Sequence, residues 1–170
     1  RKVPIVSANS CGSVGRRVIE AYWRESDRLM LEGVSPVRLE KVCREFGMLM
    51  GMPTMVDLVG LDYVIDTAQQ DHLVGRDPRR FSLTKMLRDS DHLGQKAGSG
   101  YYVYQDHQRL DNPDVLKFSA SLALDLNVEQ RDVTDQEIVE RIIYPMINEG
   151  AKVLAQGVVY RASDIDIAMV

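Results

Sequence analysis

The chain has 170 residues, with 21 Lys and Arg against 25 Asp and Glu and a net charge of −4, and is long enough to bury a core as one or two small domains. No basic stripe is present, which argues against general nucleic-acid binding, and no apolar run approaches the roughly 20 residues that a membrane span needs. Two cysteines, Cys11 and Cys43, are too few for a disulfide scaffold and too far apart in sequence for a metal pair, which suits a reducing compartment.

The sequence opens at Arg1 without a methionine or signal peptide and ends at Val170 inside an apolar-periodic segment, which reads as a fragment of a longer polypeptide. Val18, Ile19, Tyr22, Ser26, Leu29 and Met30 share one helical face, and Gly33 is placed as the stop of a long first helix. Ser35 and Pro36 supply a cap and first-turn proline for a second helix, whose apolar stripe is Leu39, Val42, Cys43 and Phe46, closed by Gly47. Met48 to Pro53 reads as a methionine-rich loop. Thr54 and Asp57 have capping-box spacing, with Asp in place of Glu or Gln, and predict a third helix from Thr54 to about Val74 that Gly75 ends. Arg76 to Arg80 is a basic loop before a shorter helix from Ser82 to Asp91.

Gly94-Gln95-Lys96-Ala97-Gly98-Ser99-Gly100 then packs three glycines around a lysine and runs into Tyr101-Tyr102-Val103-Tyr104, a short strand. Such a turn presents Lys96 to an anionic ligand; it equally fits a surface turn feeding a strand. Gln105 to Asn112 is polar and reads as a boundary region. Asn112-Pro113 opens a helix to about Leu126, and Thr134 with Glu137 has full capping-box spacing for a second long helix with Ile138, Ile142, Ile143, Ile147, Ala151 and Leu154 on its stripe. Pro145 inside it is expected to kink it, and Gly157 stops it.

The two long helices repeat one another. Arg17, Glu25 and Gly33 recur as Arg141, Glu149 and Gly157, at a constant displacement of 124 residues, and each is followed by a short link and the start of another helix. The predicted fold is therefore all-α, two tandem helical-hairpin repeats packed as a bundle, with a short strand near residues 101–104 and a linker strand at the N-terminus. The expected organisation is a linker at 1–12, a first repeat domain at 13–104, a connecting segment with one helix at 105–133 and a second, truncated repeat at 134–170.

Candidates for chemistry are few. His72, His92 and His107 all sit in polar settings without a suitable carboxylate motif and read as satisfied surface histidines. No G-x-G-x-x-G follows a strand. Arg76, Arg79 and Arg80 fit a phosphate group or a solvated charged loop, and Met48, Met50, Met52 and Met55 fit an adaptable apolar wall or core filling. Trp23 and Tyr22 read as interface packing, and no metal-ligand set is seen.

Taken together, the Gly-x-Lys-x-Gly-x-Gly-Tyr-Tyr turn, Phe46-Gly47 with Met50-Gly51, Val56-Asp57-Leu58-Val59-Gly60-Leu61-Asp62, Glu140-Arg141, Ile147 to Ala151 and Asp164-Ile165-Asp166 resemble the helical domain of 3-hydroxyacyl-CoA dehydrogenases. The two-repeat arrangement is most similar to the multifunctional β-oxidation enzymes that fuse an enoyl-CoA hydratase to the dehydrogenase. The resemblance implies that Lys2 to Val6 is the strand linking a nucleotide-binding domain to the helical one, that Lys96 reaches the NAD cofactor and that Met50 and Gly51 belong to a substrate-side loop. It also implies that Arg16, in Gly12-Ser13-Val14-Gly15-Arg16-Arg17, occupies a catalytic position where the family has asparagine. Leu49 and Met52 stand where the family has prolines, and Pro53 where it has phenylalanine. The implied partners are an acyl-CoA substrate and the nucleotide-binding and hydratase domains of the same polypeptide, expected before Arg1 and carrying the catalytic histidine–carboxylate pair; a homodimer is compatible with this. The implied location is the cytoplasm for a bacterial protein and the peroxisome for a eukaryotic one. The isolated chain is expected to be inactive, and the alternative reading is a catalytically silent scaffold or dimerisation module derived from the same domain.

Overall fold

A computed structural model describes residues 4–8, 12–70, 77, 79–106 and 108–169. In chain order the elements are α1 (Val14–Leu31), α2 (Pro36–Phe46), α3 (Met52–Val59), α4 (Leu61–Gln70), α5 (Ser82–Asp89), a 3₁₀ turn (Gln95–Ala97), β1 (Tyr102–Gln105), β2 (Gln108–Asp111), α6 (Pro113–Asp125), α7 (Asp135–Ala155) and α8 (Ala162–Ala168). The strands form one antiparallel hairpin with Tyr102 opposite Asp111 and Gln105 opposite Gln108.

The local signals for most helices act as expected. Ser13, Ser35, Asn112 and Thr134 each accept a backbone N–H of the first turn they precede, with Pro36 and Pro113 in the first turn of α2 and α6. Helix α1 is central: it packs most extensively on α7 and also touches α3, α5, α6 and α8. Tyr22, Leu29 and Met30 of α1 join Leu39, Met52, Val56, Leu61, Ile65, Leu87 and Tyr101 in the main core, and Val14, Val153, Val158 and Val159 form a second cluster at the far end of the α1–α7 pair.

That pair is antiparallel, and its ion pairs are reciprocal. Arg17 donates to Glu149 Oε1 from Nε and Nη2 (2.8 and 2.5 Å) and to Gln156 Oε1 from Nη1 (2.8 Å). Arg141 donates to Glu25 Oε2 (3.2 Å) and Glu32 Oε2 (2.7 Å). Residues 25 and 32 lie 124 positions before 149 and 156, so each arginine reads the same two heights on the opposite helix, as a two-fold relation between the helices requires. The outer faces differ. Trp23 and Met30 are buried in the core, whereas Ile147 and Leu154 at the corresponding heights of α7 are 60% and 39% exposed.

Several expectations are corrected. The single helix from Thr54 to Val74 is two helices broken at Gly60, whose φ of +103° leaves the helical region; Gly75 lies outside the described residues. Thr54 and Asp57 are not a capping box: α3 starts at Met52 with Gly51 as its N-cap, Thr54 Oγ1 donates to Glu40 Oε2 (2.7 Å), and Asp57 faces the interior. Phe46 is half exposed rather than part of the α2 core stripe. The N-terminal linker makes only a bridge, Ser7 with Val159, among its described residues. Pro145 lies inside α7, which extends as one helix from Asp135 to Ala155. The polar stretch after Tyr104 contains β2, held by its pairing with β1 and by the Arg109 guanidinium 4.4 Å above the Tyr102 ring.

Candidate functional site

The glycine–lysine turn is moulded on a single carboxylate. Asp57, on α3 and 1% exposed, accepts the backbone N–H of Tyr101 (2.8 Å) and of Tyr102 (3.0 Å) and the hydroxyl of Tyr104 (3.0 Å). A Cβ placed on Gly94 would overlap the backbone of Asp57 and one on Gly100 its carboxylate, so two of the glycines bracketing Lys96 serve close approach to this residue. Burial pushes the Asp57 carboxyl up to about 6, against the downward pull of its three donors.

At the crown of the turn, on the 3₁₀ segment, Lys96 Nζ donates to both carboxylate oxygens of Asp62, each at 2.6 Å. Asp62 belongs to the first turn of α4, and Lys96 is half exposed. A Cβ on Gly60 would come within 2.9 Å of Nζ, so Gly60 also makes room for the ammonium. The hydrogen bond from Lys96 holds the Asp62 carboxyl below the ordinary carboxylate range. The stretch Asp57 to Asp62 is thus one receptor for the whole turn: its first acid fixes the backbone, its glycine accommodates the lysine and its last acid holds the ammonium. Sequence reasoning singled out Lys96 and quoted the acids only as part of a motif. The usable signal was two acids bracketing a glycine upstream of a glycine-bracketed lysine.

Behind the turn stands a second buried acid. Asp27 of α1, fully buried, accepts Leu83 N–H (3.3 Å), Thr84 N–H (2.9 Å) and Thr84 Oγ1 (2.7 Å), and Thr84 Oγ1 lies 2.7 Å from the Tyr101 hydroxyl. Helix α5 has Phe81 at its own N-cap position, with no capping side chain, so Asp27 serves as its cap from another helix. Burial raises the Asp27 carboxyl. Tyr101 joins the two acids, its N–H on Asp57 and its hydroxyl 3.3 Å from Asp27.

The other predicted positions do not gather around Lys96. Arg16, in the first turn of α1, donates from Nη2 to the Thr67 carbonyl at 2.5 Å, in the last turn of α4, where a cation complements the exposed carbonyl end of a helix. Arg16 and Lys96 therefore address opposite ends of α4, about 8 Å apart along its axis. Met50 and Gly51 precede α3, and a Cβ on Gly51 would lie 2.8 Å from Glu40 Cα, so this loop is pressed onto α2. Met48, Met52 and Met55 fill the core, with Met55 Sδ 3.3 Å from Trp23 Nε1. The basic loop is dispersed: Arg80 pairs with Glu20 and lies 5.7 Å over the Phe81 ring, while Arg79 Nη2 reaches the Leu126 carbonyl at 3.4 Å. Arg76 lies outside the described residues. His92 is a satisfied, part-buried histidine: its Nδ1 is 2.6 Å from Ser99 Oγ, and Nε2 is 3.8 Å from Asp114. His72, His107 and Cys11 lie outside the described residues. Among the described residues no helix is long and apolar enough to cross a membrane, and no group of three or more His, Cys, Asp or Glu could hold a metal.

Three comparisons bear on this arrangement. The chain is 30% identical to the peroxisomal bifunctional enzyme of Danio rerio over 98% of its length and 25% of that protein. It is 31% identical to the fatty acid oxidation complex subunit alpha of Pseudomonas syringae pv. tomato over 99% of its length and 24% of that protein. The crystal structure of the dehydrogenase part of multifunctional enzyme 1 from C. elegans superposes with a TM-score of 0.78 at 26% identity, covering 99% of this chain and 38% of that one. The chain thus spans about a quarter of the length of the curated relatives it matches. The family described as 3-hydroxyacyl-CoA dehydrogenase, C-terminal domain, matches residues 12–104, which hold α1 to all but the last residue of β1 and the whole Asp57–Asp62–Lys96 arrangement. The chain belongs to that family.

Proposed function

We propose that the chain is the substrate-side helical domain of an NAD-dependent 3-hydroxyacyl-CoA dehydrogenase of fatty-acid β-oxidation, in which it completes a cleft with a nucleotide-binding domain of the same polypeptide. The observation that carries this reading is Lys96: a half-exposed ammonium at the crown of a turn whose backbone is fixed by a buried carboxylate, within the segment that matches the family. A lysine on a flexible turn contributes little to binding, because ordering it costs entropy; one on a braced turn is already in place. NAD, when bound, supplies the hydride acceptor. This chain carries no dinucleotide fingerprint, so the residues at hand fit one edge of the cofactor rather than its whole length, and Lys96 would hold that edge.

In this reading residues 1–12 link to the preceding domain, 13–104 form the working repeat, 105–133 connect, and 134–170 begin a second repeat that braces the first through α7. Met50 and Gly51 lie on the acyl-CoA side. The relatives named for peroxisomes and the bacterial relative fit a peroxisomal or a bacterial cytoplasmic setting. Lys96→Ala in the full-length parent should raise the KM for NAD about tenfold, the value of one charged hydrogen bond, with an unchanged melting temperature. Unaltered NAD saturation would remove Lys96 from the cofactor site.

A second reading, a catalytically silent scaffold, is favoured by one contact. Arg16, at the family's asparagine position, is bonded to the Thr67 carbonyl of α4. NAD-linked oxidation of a 3-hydroxyacyl-CoA by the parent, beside Arg16→Asn, separates the two. Activity in the unmodified enzyme supports the dehydrogenase; silence that asparagine relieves supports the scaffold.

A further inference from the structure

Lys96 does not stand as an isolated cation. Two of its three N–H donors are committed to the two oxygens of Asp62 at 2.6 Å, and Gly60 leaves the space in which the ammonium sits. The pair carries no net charge. What it shows to a ligand is one remaining ammonium N–H beside carboxylate lone pairs, a donor and an acceptor a few ångströms apart on a surface where both side chains are partly exposed.

We propose that Asp62 is a positioning and selectivity residue for Lys96, converting it from a point charge into half of a donor–acceptor pair that receives an uncharged polar group of the cofactor, a sugar hydroxyl or a carboxamide, in preference to a phosphate. The inference rests on the reading that Lys96 meets the cofactor. Its physical basis is the difference between the two ligand classes. A phosphate approaching the ammonium also approaches the Asp62 carboxylate, and the repulsion offsets the attraction at the same range. A hydroxyl or amide can accept from the ammonium and donate to the carboxylate at once, so both halves of the pair contribute. The backbone supports this geometry: Asp57 fixes the turn that carries Lys96, and Asp62 and Gly60 of the same stretch meet its side chain at the α3–α4 junction, so the ammonium is in place before any ligand arrives.

The test is NADH binding to the full-length parent, followed by cofactor fluorescence at about 0.05 M and about 0.5 M salt, a span over which exposed charge–charge attraction is largely screened. Unmodified enzyme, Lys96→Met and Asp62→Asn are compared, each checked for an unchanged melting temperature, which the partly exposed Asp62 allows. The expected result is that Lys96→Met weakens binding about tenfold at both salt concentrations, leaving the salt dependence as it was, because the lost contact is to a neutral group. Asp62→Asn should introduce an extra loss of about threefold or more between low and high salt, because the unpaired ammonium now responds to the cofactor's phosphates. Two results overturn the proposal while keeping Lys96 at the cofactor: Lys96→Met removing part of the enzyme's salt dependence, or Asp62→Asn binding with the salt response of the unmodified enzyme. Unchanged affinity in Lys96→Met at both salts overturns this proposal and the cofactor role of Lys96 together.

Discussion

Asp57 is pulled in two directions: burial favours its neutral acid, and three donors favour its anion. Burial prevails, and the carboxyl titrates at about 6. A folded-state value above the ordinary aspartate value of about 4 means that between those two values the folded chain binds a proton that the unfolded chain does not. The contribution of Asp57 to stability is therefore most favourable at low pH and declines as pH rises from about 4 to about 6, by on the order of 3 kcal/mol. Asp62, held low by Lys96, runs the other way in sign, its contribution being lost as pH falls, but both side chains are partly exposed and the pair adds little to stability. Urea denaturation of the chain and of Asp57→Asn across pH 4 to 7 isolates the first effect. Asparagine cannot ionise, and its amide group would turn a donor toward the N–H groups of Tyr101 and Tyr102. The variant should be less stable at every pH, with the gap narrowing by roughly 2–3 kcal/mol as pH rises. A gap that widens with pH would mean that the three donors, not burial, set the titration of Asp57.

At the level of single elements, what can be read from sequence depends on how far away the stabilising group lies. Ser35-Pro36, Asn112-Pro113 and Thr134 cap their helices from adjacent positions, and each was readable because the acceptor and the N–H groups it satisfies lie within a few residues. Helix α5 was readable as a helix but its cap was not, because Asp27 lies 56 and 57 residues before the N–H groups it accepts. Strand β2 gave no signal at all. Every residue of Gln108–Asp111 is exposed, so there is no apolar alternation to read, and its position depends on pairing with β1 and on Arg109 over Tyr102. The break at Gly60 was missed for a related reason: the residues on both sides are helix-compatible, and it is Lys96, 36 positions later, that uses the space. These differences predict unequal costs. Ser35→Ala should destabilise the chain by about 1 kcal/mol, since solvent can reach the freed N–H of Arg38. Asp27→Ala should cost roughly 3 kcal/mol, because it strands two buried N–H groups and leaves the Thr84 and Tyr101 hydroxyls with only each other as partners. Comparable denaturation midpoints for the two variants would show that α5 does not depend on its remote cap.

On the scale of the whole molecule, the repeat read from three matched residues has a physical consequence that periodicity alone did not supply. Equal displacement of Arg, Glu and Gly was visible in sequence; that the first arginine would find the second glutamate, and the second arginine the first, follows only once α1 and α7 lie antiparallel. The arrangement also fixes the registration of the bundle. Sliding α7 by one turn, about 5.4 Å, would separate both ends at once, since each arginine spans two acceptors seven residues apart on the opposite helix. The Arg17–Glu149 pair is the sharper probe, with side chains only 17% and 21% exposed, shielded enough for its coupling to exceed that of an open surface pair. Arg17→Glu should cost about 2 kcal/mol by placing two carboxylates together, and Glu149→Arg a similar amount by placing two guanidiniums together. The exchanged double variant, Arg17→Glu with Glu149→Arg, restores opposite charges at the same two heights and should recover at least half of the summed loss, a coupling of about 1–2 kcal/mol in a double-mutant cycle. Additive losses would mean that the two helices are held in register by their apolar seam alone, and that the reciprocal charges record the repeat without stabilising it.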